Sequence, residues 1–196
     1  MSQPTYSKSS IYTRQGLWSL FLMCAFPLHL WTIILVFQDV SWVAERTNAW
    51  DAVGVASYAM VFALVESLLV FLIMTLIGFV TPRRWDVNKR VAFLTLLILI
   101  LAIWGIASQL LFLWNINLSE QVIQFLARSG HPLWYLYGVS LAVVIPTVFV
   151  PVYIFLRSDK MSIFIYDLAD RLLVLSMFYL LFDLAGIIVL IVRNSN

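Results

Sequence analysis

Five apolar runs dominate this chain, and each is near or above the roughly 20 residues that an α-helix needs to cross the hydrocarbon core of a bilayer. They cover residues 17–37, 52–80, 91–114, 133–156 and 168–192. A soluble helix hides one apolar stripe and wets its other face. A soluble reading would need several helices apolar all round at once, within a chain that is 63% hydrophobic and 11% charged. Soluble domains carry about 25% charged residues. A transmembrane barrel is also disfavoured, because its strands alternate polar and apolar over about ten residues, and these runs do not. The expected fold class is therefore all-α: a polytopic integral membrane protein with five transmembrane helices. They form a single domain over 17–192, after a polar segment over 1–16 and before a tail over 193–196.

Charge orders these spans. Thr81–Arg90, TPRRWDVNKR, is the densest basic stretch and lies between two apolar runs. Basic loops between spans stay on the cytoplasmic side. With five spans, one side carries Lys8, Arg14, Arg83, Arg84, Lys89, Arg90, Arg157, Lys160 and Arg171, and the other carries Arg46, Arg128 and Arg193. A nine-to-three partition predicts a cytoplasmic N-terminus and an external C-terminus in a cell membrane. Arg83, Arg84, Lys89, Arg90, Arg157, Lys160 and Arg171 are read as topology anchors. Trp42, Trp50, Trp114 and Trp134 fall near the outer interface, where an amphipathic ring reaches lipid and water together.

The lead-in and first run also fit a signal peptide. The run is longer than a usual signal core, has no small-x-small cleavage site, and places the large Met23 before Cys24. A retained first span is the reading taken. The connection after the third run has an apolar face at Val122, Ile123, Phe125 and Leu126. It suits either a short interfacial helix over 119–128, with Ser119 as N-cap, or an ordinary loop. In the fourth run, Gly138 and Ala142 stand four apart and permit close helix contact. Asp167 and Arg171 have the spacing of a helical ion pair.

Polar residues within the runs are the candidate functional residues. Counted from the cytoplasmic ends, His29, Glu66 and Asp183 all lie roughly 18 to 21 Å along their helices, at about 1.5 Å per residue. They are expected to share one layer. Asp183 shares a broad face with Ser176, Tyr179 and Gly186, and Glu66 projects near Ala59 and Ala63. A lone carboxylate facing lipid costs about 2.5 to 3.5 kcal/mol on insertion scales, so these groups should face protein.

Two readings follow for His29, Glu66, Asp183, Tyr179 and Ser176. They form an interhelical polar network that fixes packing, or a pathway for protons or a small polar solute. A third reading is an interfacial lipid-modifying enzyme using Asp167 and Asp170 near the inner boundary. The chain has a single cysteine and no HExxH helix, glycine-rich phosphate loop or serine-hydrolase elbow, so no cofactor, metal or catalytic residue is assigned. Anionic head groups account for the basic loop more directly than nucleic acid does. The expected partners are membrane lipids, together with a membrane-protein partner or a second copy of the chain. The leading expectation is a small multi-pass protein with a structural, accessory or interaction role.

Overall fold

The computed structural model describes residues 11–82, 84–113 and 118–195. Six helices follow one another: α1 (Arg14–Arg46), α2 (Ala49–Val80), α3 (Val87–Leu113), α4 (Glu120–Arg128), α5 (Pro132–Arg157) and α6 (Asp159–Asn194). All but α4 are long and apolar enough to span a bilayer. Among the described residues the protein is thus all-helical, with the character of a multi-pass membrane protein.

Local chemistry sets the helix ends. Thr13 Oγ1 accepts the Gly16 amide at 3.0 Å and starts α1. Asn48 Oδ1 accepts the Asp51 amide at 2.8 Å and starts α2, with Asp51 in a first turn where the helix dipole favours an acid. Asp86 Oδ1 accepts the Lys89 amide at 2.9 Å at the head of α3. Thr81-Pro82 ends α2, since a residue before proline leaves the helical region. After α4, Gly130 takes a φ of +71°, which glycine adopts without strain, and Pro132 opens α5.

Two boundaries differ most from the hydropathy reading. α1 runs to Arg46 rather than residue 37, so residues 38–46, where polar and apolar side chains alternate irregularly, are helical. At 33 residues α1 is about 50 Å long, more than the roughly 30 Å hydrocarbon core. Its polar turns extend beyond an apolar layer while keeping their backbone hydrogen bonds, and Arg46 lies over the Trp42 ring at 4.3 Å. Likewise α6 starts at Asp159 instead of 168, capped by Ser158 Oγ, which accepts the Met161 amide at 3.3 Å. The 119–128 connection is helical from Glu120, although the Ser119 side chain makes no cap bond.

Helices α1, α2, α3 and α6 pack together, with α1 in contact with all three others. Leu20, Met23, Cys24, Met74, Leu94, Ile98 and Ala169 form their shared core. A second cluster of Ala92, Leu96, Ile100, Phe155 and Ile165 attaches α5 to α3 and α6 at one end. Contacts at the ends show successive long helices running in alternating directions. Lys89 Nζ lies 3.3 Å from Asp159 at one end, and Arg193 pairs with Asp51 at the other.

In lipid, helix association lacks the hydrophobic drive available in water, so small residues that let backbones approach carry the packing. The buried stripe of α2 fits this: Ala52, Gly54, Ser57, Met60, Ala63, Ser67, Met74 and Gly78. Gly186 of α6 sits against it. A Cβ there would lie 3.3 Å from the Ser57 carbonyl oxygen and 3.5 Å from Ser57 Cα. Both are backbone atoms and cannot swing aside. Gly186→Leu is therefore expected to destabilise the protein by about 1–3 kcal/mol, whereas Gly105→Ala, which meets nothing within 4 Å, should be near neutral. Unfolding of both variants in detergent measures the difference, and equal stabilities would contradict the close crossing.

Candidate functional site

The most deeply buried ionisable pair joins α1 to α6. His29 is 0% exposed and Asp183 is 2% exposed. Nε2 of His29 lies 3.0 Å from each carboxylate oxygen of Asp183. Its other ring nitrogen, Nδ1, lies 2.8 Å from the Ala25 carbonyl oxygen one turn earlier on the same helix.

This arrangement limits where protons can sit. A carbonyl only accepts, so Nδ1 must carry a hydrogen. One further proton then lies between Nε2 and the carboxylate, on either side. The pair is neutral overall in both forms, as imidazolium with carboxylate or as imidazole with carboxylic acid. A neutral, hydrogen-bonded unit avoids the heavy cost of an isolated charge in an apolar interior. Neither ring nitrogen is left to accept a proton from a substrate or to ligate a metal.

Tyr179, one turn before Asp183, places its ring parallel to the imidazole, with centroids 5.8 Å apart and planes 6° apart. Phe26 stacks on Tyr179 in turn, at 6.4 Å and 26°. Ser176 is buried two turns from Asp183, but its hydroxyl donates to the Leu172 carbonyl of its own helix at 3.2 Å. The structure thus unites His29, Asp183 and Tyr179, with Ser176 on the same face of α6 and bonded elsewhere.

Glu66 stands apart. It is half-buried and lines a separate hollow with Trp31, Thr32, Asp39 and Gln109. The reason is angular. The adjacent Ser67 lies on the buried stripe of α2 and donates to the Ala63 carbonyl at 2.7 Å. One residue of helix turns a side chain by about 100°, so Glu66 faces the α1–α3 side rather than α6.

Of the topology anchors, Arg90 departs most from expectation. It is 2% exposed rather than solvated. Its Nε donates to Thr81 Oγ1 at 2.8 Å, and its Nη atoms donate to the Ile11 and Pro82 carbonyls. Thr81 Oγ1 in turn donates to the Gly78 carbonyl at 2.7 Å. Arg90 therefore satisfies acceptors at the C-terminal end of α2 and ties the chain before α1 to them. Tyr12 joins this group by donating to the Thr75 carbonyl at 2.9 Å. Burial raises its phenol pKa, and the Arg90 charge lowers it by less. Nothing in the local sequence distinguishes Arg90 from its basic neighbours. Only the meeting of three segments does.

Lys89 holds Asp159, and Arg157 lies over the Tyr153 ring at 5.2 Å. Arg84, Lys160 and Arg171 are exposed, and Arg83 lies outside the described residues. The Asp167–Arg171 spacing does not form an ion pair among the described residues, and both side chains are exposed. Asp170 is exposed as well. Among the described residues, no three His, Cys, Asp or Glu side chains come together to hold a metal ion.

Compared with known proteins, the chain matches no family model, no curated protein and no solved structure. Its class therefore rests on its own architecture, an all-helical multi-pass membrane protein with a buried histidine–aspartate contact.

Removing one partner of such a pair strands the other. His29→Leu and Asp183→Leu should each cost about 3 kcal/mol or more. The double substitution should cost less than their sum by at least about 1 kcal/mol, near the upper range for polar pairs between membrane helices. Asp183→Asn should be milder than Asp183→Leu, because an amide can still donate to a neutral Nε2. A double-mutant cycle of unfolding in detergent measures the coupling, and additive effects would show that the contact does not contribute.

Proposed function

We propose that this chain is an accessory or interaction subunit of a cell-membrane assembly, with α5 as its contact span. The observation that supports this reading is the sparse packing of α5. Only 6% of its most apolar stretch is buried, against 22% to 39% in the other four long helices. Phe155 is its one buried residue among those described. Lipid can cover any apolar face, but a small-residue ridge gains little from lipid and more from a neighbouring helix. Gly138 and Ala142 provide such a ridge, and both are exposed. Nothing lies within 4 Å of the position a Gly138 Cβ would take. The saturated His29–Asp183 pair adds weight to a structural role, since it has no ring nitrogen left for chemistry.

The same reading places the N-terminus in the cytoplasm and the C-terminus outside. Its support is the charge partition, together with the meeting of Arg90 with Ile11 and Lys89 with Asp159 at the basic end. In a Cys24→Ser background, Asn88→Cys should be shielded from a membrane-impermeant maleimide in intact cells, while Glu120→Cys should be labelled. The opposite pattern would reverse the orientation.

A photoreactive residue at position 142 in native membranes tests the contact span. It should give a discrete protein adduct, from a partner or a second copy. The same group at position 188, on the exposed side of α6, should not. Lipid adducts alone from both positions would refute the proposed role of α5.

A further inference from the structure

Two adjoining hollows open between α1, α2 and α3, and they differ in chemistry. The first is about 250 Å³ and apolar, with Pro27, Leu28, Val70, Ile98, Leu101 and Gly105 among its walls. The second is about 330 Å³ and holds Glu66, Asp39, Thr32 and Phe62. Trp31 and Gln109 belong to both, so the hollows share a wall. Together they fall within the 300–1,000 Å³ range of ligand sites.

Three features of this groove are unexplained by packing. Glu66 makes no hydrogen bond or ion pair among the described residues. It lies near the middle of α2, about 21 Å along the axis from Val80, where a carboxylate without a partner is expensive. No Lys or Arg lines either hollow. The indole nitrogen of Trp31 is buried and lacks an acceptor among the described residues. The His29–Asp183 pair is saturated and takes no part.

We propose that this groove binds a lipophilic organic cation. The carboxylate of Glu66 would neutralise the cationic centre, with Asp39 adding negative potential toward the exposed end of α1. Trp31 and Phe62 offer aromatic faces, which attract a desolvated cation through their quadrupoles. The apolar hollow takes one of the cation's hydrocarbon groups. A zwitterion or anion would place negative charge against two acids with no base nearby. A neutral hydrocarbon would fill the apolar half and leave Glu66 as it is. Charge complementarity thus selects the cation. This inference is independent of the contact role of α5.

The test measures saturable binding of radiolabelled tetraphenylphosphonium to the purified full chain in detergent, against empty micelles. One site per chain is expected. Tetraphenylborate, matched in shape and opposite in charge, should show no saturable component. Glu66→Gln should weaken phosphonium binding at least tenfold, and Asp170→Asn, remote from the groove, should not. Should Glu66→Gln fail to fold, Ala102→Phe and Gly105→Leu fill the apolar hollow without touching the carboxylate, and each should also weaken binding at least tenfold. The proposal is overturned by the absence of saturable binding to the unmodified protein, by equal binding of the borate, or by affinity within twofold of the original in the folded variants.

Discussion

A fully buried ionisable side chain in an apolar bundle is costly unless it meets a partner of matching chemistry. His29 and Asp183 are 154 positions apart in the chain, and each supplies what the other needs. Their contact is neutral whichever atom holds the shared proton. It therefore joins α1 and α6 without leaving a net charge in the interior. The Ala25 carbonyl orients the ring, and the Tyr179 ring lies parallel beside it. Once this contact is made, both the rotation and the axial offset of α6 against α1 are constrained. A shift by one residue would turn Asp183 away by about 100°.

The rest of the packing follows from the weak drive for helix association in lipid. Close approach must come from small residues, and α2 supplies a stripe of them against its neighbours. The ends are then held by polar contacts where water competes less than it would on an open surface. Arg90 gathers carbonyls from the end of α2 and from the chain before α1, while Arg193 reaches Asp51 and the Trp50 carbonyl at the other end. Helix α5 turns no such stripe inward, and among the described residues one side-chain hydrogen bond ties it to α3, Trp104 Nε1 donating to Thr147 Oγ1 at 3.1 Å. It touches the core mainly through Phe155 and neighbouring apolar side chains, and its small-residue ridge is left outward.

The two acids within the spans have opposite environments for one geometric reason. Asp183 points at a helix that carries a matching base, and Glu66 points at a groove that carries none. Depth alone does not separate them. The separation arises because Ser67, not Glu66, sits on the packed stripe of α2. A carboxylate with no internal partner is the natural place for an external cation, while a carboxylate already matched is a natural joint.

Several levels of this protein were legible in its residues. The five runs, and the shared depth of His29, Glu66 and Asp183, follow from hydropathy and axial counting. Those quantities are local or one-dimensional. What the residues alone could not decide was azimuth: which side of each helix meets which neighbour. Glu66 was grouped with His29 by depth and separated from it by rotation. Arg90 was grouped with its basic neighbours by charge and separated from them by burial. Helix length was also hidden, because α1 and α6 continue through polar residues where hydropathy stops but backbone hydrogen bonding does not. Sequence determines how far along its helix each side chain lies. Only the packing of α1, α2, α3 and α6 decides what it faces, because contact depends on helix order and rotation, and neither is encoded within a single span.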